Sequence, residues 1–325
     1  MIGRPALDLP DFAAVVAAAG RIAPYVAPTP VVNSANFDRR VGRRVWFKCE
    51  NLQRGHAFKI RGALNAVLLR PPQVRCVATH SSGNHGTALA LAAAQAGLRC
   101  IVVMPQDASP SKLAAVRAAG ATVVTSAPGI AARAAALEEV LRAEPHAHVV
   151  HPYDDARVIA GQGTAALEFL SAKPRLQALI VPVGGGGLIG GSALAVRAMR
   201  GARCRVIGAE PAAANDAQRA LRTGQRQPLE VPATIADGLR GALGERNFAL
   251  LRAAVDDIVA VGEDEIVAAM RIVLEDLKLL IEPSAAVAVA AVLQGRWDCD
   301  DIGVILSGGN VDLRQCPFLA GLKRP

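Results

Sequence analysis

Short apolar runs alternate with alanine-rich segments along most of the 325-residue chain, and this alternation constrains the fold more than any other feature. Several runs are almost continuously apolar, as expected of parallel strands that are covered on both faces. Strands alternating with helices predict a doubly wound α/β fold. The predicted strands are RVWFKCE (44–50), VRCVATH (74–80), RCIVVMP (99–105), ATVVTS (121–126), ALIVPV (178–183), RCRVIGAE (203–210) and IGVILSG (302–308). The predicted helices are 62–70, 86–96, 111–119, 130–143, 161–171, 189–199, 263–280 and 284–293.

Composition and charge exclude several classes of function. The net charge is +8, but the arginines are scattered singly rather than grouped into a basic stripe with aromatics, so we expect no nucleic-acid partner. The longest apolar runs are too short to cross a bilayer, and the N-terminus has no signal-peptide pattern. The six cysteines form neither a C-x-x-C pair nor a zinc cluster. We therefore expect a cytoplasmic protein without a membrane partner, built as two domains or one large α/β unit.

Lys59 lies between Phe58 and Ile60 in the segment HAFKIRGALNA, at the start of a predicted helix. Lysine is rarely buried, because its ammonium group is expensive to desolvate. One interpretation is a side chain whose stem covers apolar surface while its ammonium group reaches water. The other is a buried reactive amine, and the glycine loops described next favour it.

The segment VPVGGGGLIGG (181–191) follows a predicted strand and precedes a predicted helix. Consecutive glycines allow close approach of the backbone, and their N–H groups at a helix N-terminus favour a bound phosphate. Gly185, Gly187 and Gly190 also satisfy G-x-G-x-x-G, with Glu210 ending the next strand at the spacing of a ribose-binding acid. A nicotinamide-dependent dehydrogenase is therefore a competing hypothesis, and a glycine turn that only packs the helix is a third interpretation.

Two more polar loops follow predicted strands. In THSSGNHGTALA (79–90), Ser81, Ser82 and Asn84 offer donors suited to a carboxylate, although an ordinary helix cap explains one of them. In ILSGGNVD (305–312), Ser307 precedes paired glycines. Because loops at the carboxyl ends of parallel strands lie at one edge of the sheet, these segments and Lys59 predict one crevice.

Six motifs occur here in the order found in one enzyme family: FKIRGALNA, SSGNHG, VIAGQGT, PVGGGG, IADG and LSGGNVD. Over residues 28–313 the chain resembles the fold-type II pyridoxal-phosphate enzymes, and more narrowly their serine/threonine dehydratase and serine racemase branch. The resemblance implies a tryptophan synthase β-like fold with two doubly wound parallel-sheet domains. It divides the chain into a large cofactor-binding domain (1–51 plus 151–325) and a small mobile domain (52–150).

The resemblance also implies roles for residues around the cofactor, pyridoxal 5′-phosphate. Lys59 matches the lysine that forms a Schiff base with it, and a desolvated lysine has the lowered pKa that this chemistry needs. Phe58 precedes that lysine, and Asn84 matches the residue that binds the ring hydroxyl. Ser307 matches the neutral group facing the ring nitrogen, which makes the ring a weaker electron sink and favours loss of a β-substituent. The phosphate cradle matches Gly184, Gly185, Gly186, Gly187 and Leu188.

For the substrate, the resemblance implies that the amino-acid carboxylate binds the loop formed by Ser81, Ser82, Gly83, Asn84 and His85. Lys59 then removes the Cα proton, and the β-hydroxyl leaves as water. Ser82 matches the acid/base that racemases use on the opposite face. Arg133 lies where the family has an arginine near the substrate entrance, although it is equally explained as a surface residue.

A divalent-cation site is implied by the segment AEPAAAND. Glu210, the carbonyl of Ala214, and Asp216 match the family's ligands, and oxygen ligands at this spacing suit Mg²⁺ or Ca²⁺. The alternative is a solvated acidic loop.

The chain departs from the family at two places. His56 replaces a glycine three residues before Lys59, and if it points inward it favours a substrate such as phenylserine or hydroxyaspartate over serine or threonine. Gly241 and Ala242 replace serines that racemases carry. We therefore expect an ammonia-lyase acting on a β-hydroxy amino acid, its small-molecule partner, with a homodimer as the candidate assembly. The competing hypotheses are a racemase, the dehydrogenase, and a cofactor-binding protein without turnover.

Overall fold

The computed structural model describes residues 7–81, 83–229, 232–295, 297–313, 316 and 318, and it contains two separate sheets. The larger sheet has the strand order β1-β2-β10-β7-β8-β9. Five of its strands run parallel, and the edge strand β1 pairs antiparallel with β2. Its strands are β1 (Val31–Asn33), β2 (Arg44–Lys48), β7 (Ala178–Pro182), β8 (Arg205–Pro211), β9 (Asp257–Val261) and β10 (Asp301–Ile305).

The smaller sheet has the order β5-β4-β3-β6, and all of its strands run parallel. Its strands are β3 (Cys76–His80), β4 (Arg99–Pro105), β5 (Thr122–Ser126) and β6 (His148–Val149). The strands of this sheet thus come from the middle of the chain, while those of the larger sheet come from both sides of it. The predicted α/β class with two parallel-sheet units is confirmed, whereas the mobility of the smaller unit stays a prediction.

Helices cover the sheets and connect their strands. The alanine- and valine-rich α12 is buried along nearly its whole length in the core of the larger sheet, which explains its lack of a polar face. The helices are α1 (Phe12–Ile22), α2 (Ala35–Val41), α3 (Lys59–Leu68), α4 (Asn84–Gln95), α5 (Pro110–Ala118), α6 (Ile130–Ala143), α7 (Ala156–Ala172), α8 (Gly187–Arg200), α9 (Asp216–Thr223), α10 (Glu245–Ala254), α11 (Glu263–Leu277) and α12 (Pro283–Leu293). No helix in the described ranges is both long and apolar enough to cross a membrane.

A buried network of charges joins α3 to its surroundings. The guanidinium group of Arg61 donates to both carboxylate oxygens of Glu50 at 2.7 and 2.8 Å and to those of Glu168 at 2.7 and 2.9 Å. Lys48 donates to Glu168 at 2.6 Å, and Thr29 donates to Glu50 at 2.6 Å. The network ties β2, α3 and α7 together two residues beyond Lys59, and so it fixes the start of α3 in the fold.

Candidate active site

The three predicted loops and Lys59 line one cavity at the carboxyl ends of β3, β7 and β10, which confirms that these segments share a crevice. Among the predicted site residues, Leu188 and Arg133 also line it. Ser82 lies outside the described residues. The full lining consists of Phe58, Lys59, His80, Ser81, Gly83, Asn84, His85, Lys112, Arg133, Pro152, Tyr153, Pro182, Gly184, Gly185, Gly186, Gly187, Leu188, Asp237, Gly238, Leu239, Arg240, Gly241, Glu282, Ser284 and Ser307.

Lys59 begins α3 with its amine directed at this cavity. Its Nζ donates to the carbonyl oxygen of Pro152 at 2.9 Å and lies 5.0 Å from the centre of the Phe58 ring. Burial lowers the pKa of the Lys59 amine to about 8, against the opposing effect of the Glu282 carboxylate. A larger fraction of this amine is therefore neutral near pH 7 than for a solvated lysine, as nucleophilic chemistry requires.

Backbone pairing holds Lys59 beside the loop after β10. Ala57 forms an antiparallel bridge with Gly308, and the N–H of Phe58 donates to the carbonyl oxygen of Ser307 at 3.0 Å. Ser307 itself is buried and lines the cavity. The reactive amine and the neutral hydroxyl are thus held in a fixed relation by main-chain contacts.

The glycine loop forms an anion cradle at the start of α8. Gly186 has φ of +92°, a left-handed conformation that favours glycine, and Gly187 begins the helix, whose first N–H groups have no partner within the helix. A Cβ on Gly185 would overlap the Tyr153 ring, and one on Gly184 would lie 2.9 Å from the Cα of Leu239. Packing and conformation therefore both require glycine here.

Ser81 does not present its hydroxyl as a free donor to a substrate carboxylate. Its Oγ accepts from the N–H groups of Gly83 at 3.1 Å and Gly86 at 3.0 Å, so it stabilises its own loop in the way of an ordinary cap. The N–H groups left for a carboxylate are those that begin α4, at Asn84 and His85. Burial, followed by the nearby Lys59 charge, holds the pKa of the His85 imidazole well below its usual range, so this ring is neutral.

Asn84 makes two side-chain hydrogen bonds that the sequence analysis missed. Its Nδ2 donates to Glu282 at 2.6 Å, and its Oδ1 accepts from Asn310 at 3.0 Å. Burial raises the pKa of the Glu282 carboxyl to about 7. Neither partner could be identified from a local pattern, because each comes from a different part of the chain.

Three further cavity residues were also missed. Lys112 from α5 forms a close ion pair with Asp237 across the cavity, and its stem lies over Gly83. Tyr153 packs its ring on the glycine loop. Arg133 of α6, predicted from the resemblance, donates to the carbonyl oxygen of Gly129 at 3.3 Å and forms no ion pair within the described ranges, while burial lowers its pKa.

His56 lies outside this cavity. It is exposed, has φ of +56°, and lines a neighbouring cavity instead. The turn before Lys59 thus directs the imidazole away from the amine, and the argument from His56 for a bulky substrate receives no support.

The predicted cation ligands are close in the fold, but their oxygens already accept hydrogen bonds. Glu210 accepts from the N–H groups of Ala217 at 3.1 Å and Gln218 at 2.8 Å, and Asp216 accepts from that of Leu243 at 2.8 Å. Burial raises the pKa of the Glu210 carboxyl to about 8 and also raises that of Asp216. The described residues contain no group of three His, Cys, Asp or Glu side chains able to hold a metal, so the site, with the Ala214 carbonyl, stays a prediction.

The donor set fits pyridoxal phosphate. A buried amine of lowered pKa can bind its aldehyde, the cradle of Gly184–Gly187 can bind its phosphate, and a neutral hydroxyl at Ser307 can face its ring nitrogen. Two buried polar atoms of the wall, Oε2 of Glu282 and Nδ1 of His85, have no hydrogen-bond partner in the described ranges, as expected of a wall built for a polar ligand.

Known proteins resemble this chain over nearly its whole length. The model of a family described as "pyridoxal-phosphate dependent enzyme" matches residues 22–308. A serine racemase of Arabidopsis thaliana is 43% identical, covering 93% of this chain and 94% of that protein. An L-threo-3-hydroxyaspartate ammonia-lyase of Saccharomyces cerevisiae is 41% identical, and the match covers 94% of this chain and 95% of that protein. The solved structure of a T.th. threonine deaminase has a TM-score of 0.89 at 41% identity, and the match covers 93% of this chain and 99% of that protein.

Proposed function

The chain belongs to the family of pyridoxal-phosphate dependent enzymes, and from this premise we propose that it is an ammonia-lyase acting on a β-hydroxy amino acid. The net reaction converts the substrate to a 2-keto acid and ammonia. The β-hydroxyl takes up a proton, which balances the one removed from Cα, and departs as water, and a second water molecule releases the nitrogen. The relatives named above include both an ammonia-lyase and a serine racemase, so the choice between the two reactions depends on the cavity of this chain.

One observation carries the preference for elimination. Gly241 lines the cavity, where a racemase-like chain would place a serine, and a Cβ there would lie 3.3 Å from the Tyr153 ring. Gly241 thus contributes no hydroxyl to this wall, and the Tyr153 ring occupies the space beside it. Inversion at Cα requires a proton donor on the face opposite the base, a role predicted for Ser82, whereas elimination requires only one base.

The groups that line the cavity are suited to elimination in the following roles. When bound, pyridoxal phosphate supplies an electron sink for the electrons left at Cα. The N–H groups at the start of α8 hold its phosphate, and those at the start of α4 hold the substrate carboxylate. The neutral amine of Lys59 removes the Cα proton, and the ion pair of Lys112 with Asp237 closes over the loop to exclude water.

Arg133 supports a substrate with a second negative charge. Its guanidinium group lines the cavity without an ion pair in the described part of the chain, and it lies on α6, which packs on the smaller sheet. A second carboxylate would supply the missing partner. We therefore propose 3-hydroxyaspartate as the preferred substrate class, in agreement with the name of the yeast relative.

A substrate screen tests the proposal. The purified enzyme is given both enantiomers of serine and threonine, threo- and erythro-3-hydroxyaspartate, and phenylserine, and keto acid, ammonia and the chirality of the remaining substrate are measured in the same samples. We expect keto acid and ammonia in equal amounts, fastest from one isomer of hydroxyaspartate. Inversion that outpaces keto-acid formation would instead establish the racemase.

An arginine pair on α6 tests the substrate class. Arg133→Gln should raise the KM for hydroxyaspartate about 10- to 100-fold, because a hydrogen bond to a charged group is worth roughly 1.5–3 kcal/mol. The same substitution should change the KM for serine little. Arg142→Gln is the matched control, since Arg142 lies on the same helix but is exposed and paired with Glu139 at 3.8 Å. Equal losses for both substrates would remove Arg133 from substrate recognition.

A further inference from the structure

Three side chains from separate parts of the sequence form a row of hydrogen bonds at the edge of the cavity: Asn84 and Glu282 line it, and Asn310 lines the neighbouring cavity of His56. Asn310 donates to the carbonyl oxygen of Gly55 at 2.8 Å and to Oδ1 of Asn84 at 3.0 Å. Asn84 donates in turn to Oε1 of Glu282 at 2.6 Å. Neither the role of Lys59 as the base nor the binding of phosphate by the glycine loop requires any of these three bonds, although they link residues near Lys59.

The orientation of both amide groups in this row of hydrogen bonds is fixed from the Gly55 end. A main-chain carbonyl can only accept, so Gly55 requires the amide nitrogen of Asn310 on its side. The second N–H of that nitrogen then requires the oxygen of Asn84. The nitrogen of Asn84 must therefore face Glu282, whose carboxylate is an acceptor.

Asn84 consequently turns its oxygen toward Asn310 and keeps one N–H without a partner in the described ranges. One of its two N–H bonds is occupied by Glu282, and its oxygen is occupied by Asn310. A ligand that contacts this remaining N–H must present an acceptor, which for the cofactor is the oxygen on its ring.

Glu282 is built into this position. It is 2% exposed, its N–H donates to the carbonyl oxygen of Gly308 at 3.0 Å, and a Cβ on Gly308 would overlap its Oε1. The charged groups that act on its carboxylate are Lys112, Asp237 and Lys59. Its Oε2 has no partner in the described ranges, so the carboxylate is held mainly through Asn84 and its own backbone.

We propose that Glu282 and Asn310 are positioning residues that orient the amide of Asn84, so that its free N–H donates to the ring oxygen of the bound cofactor. The inference rests on cofactor use and not on the choice between elimination and racemisation. Failure of the substrate screen would therefore leave it intact, and its own failure would leave the proposed reaction intact.

A cofactor analogue isolates the effect. The full-length chain is freed of cofactor and titrated with pyridoxal phosphate and with 3-deoxypyridoxal phosphate, which lacks only the ring oxygen. Because the ring oxygen also hydrogen-bonds the Schiff-base nitrogen, the contact with Asn84 is measured by how the ratio of the two dissociation constants changes between the unaltered protein and each variant. We expect the unaltered protein to prefer the natural cofactor about 10-fold or more, since a hydrogen bond to a charged acceptor is among the stronger ones.

The variants separate positioning from general damage. Asn84→Ala should lower the ratio about 10-fold, and both Glu282→Ala and Asn310→Ala should lower it at least about threefold. Ser284→Ala is the matched control, because Ser284 lines the same cavity but accepts from the N–H of Gly238 at 3.0 Å, and it should keep the ratio within about twofold.

A purely structural role gives a different result. Both cofactors would then lose affinity equally in the Glu282 and Asn310 variants, with the ratio unchanged, and the proposal would be wrong. Asn310 is only partly buried, so its variant keeps the test decisive if Glu282→Ala does not fold.

Discussion

Replacing Glu50 with alanine should disrupt the network that anchors the helix of Lys59. The Glu50 side chain is fully buried and accepts three hydrogen bonds of 2.6, 2.7 and 2.8 Å, one from Thr29 and two from Arg61. Without it, the buried guanidinium group of Arg61 keeps Glu168 as its one carboxylate partner among the described residues. Removal of one partner from a buried ion pair typically costs about 3–5 kcal/mol, because the other charge stays desolvated. We expect a loss of that size in the free energy of unfolding, measured by urea denaturation.

A surface pair of the same geometry provides the control. Arg99 and Glu144 make two hydrogen bonds of 2.7 and 2.8 Å, but the Arg99 side chain is 64% exposed. Glu144→Ala should therefore lower the free energy of unfolding far less than Glu50→Ala. Similar losses for Glu50→Ala and Glu144→Ala, or a loss below about 1 kcal/mol for Glu50→Ala, would refute the reasoning that burial sets the strength of the network.

Three further outcomes follow from the site. The pKa of the Lys59 amine is lowered to about 8. The rate of cofactor capture should therefore rise about tenfold per pH unit below pH 8 and level off above it. An ordinary lysine would instead give a rate that still rises to about pH 10. Gly185→Ala should weaken cofactor binding at least about tenfold in fluorescence titrations, since the added Cβ would overlap the Tyr153 ring. The control Gly20→Ala should leave cofactor binding unchanged, because nothing lies within 4 Å of its added Cβ. His56→Gly should change KM less than about twofold for every substrate in steady-state assays, because His56 is exposed and outside the cavity; a selective change would restore it as a specificity residue.

Much of the fold could be predicted from the sequence because buried parallel strands are nearly continuous apolar runs. The run RCIVVMP coincides with β4, and residues 130–143 coincide with α6. Elements without such a signal were missed: α9 is mostly polar and charged, and β6 has only two residues. Their conformations depend on packing against the rest of the chain rather than on a local pattern.

The residues of the candidate site also fall into those that the sequence could predict and those that it could not. The glycine loops could be predicted because the carboxyl ends of parallel strands meet at one edge, and the family resemblance assigned Lys59 within them. Lys112 and Glu282 carry no local signal, since tertiary packing brings each of them to the cavity, whereas Asp237 lies in the motif IADG but was given no role. The orientation of His56 stayed open in the sequence, because only the backbone of its turn decides on which side of the chain the imidazole lies.

The central claim is that the amine of Lys59 binds pyridoxal phosphate covalently. The most direct measurement is borohydride reduction of the protein after addition of the cofactor, followed by peptide mass spectrometry, beside a Lys59→Ala control. We predict a single reduced cofactor adduct on Lys59 and none at the active site of the control. A protein that stays unmodified at position 59 would contradict the account.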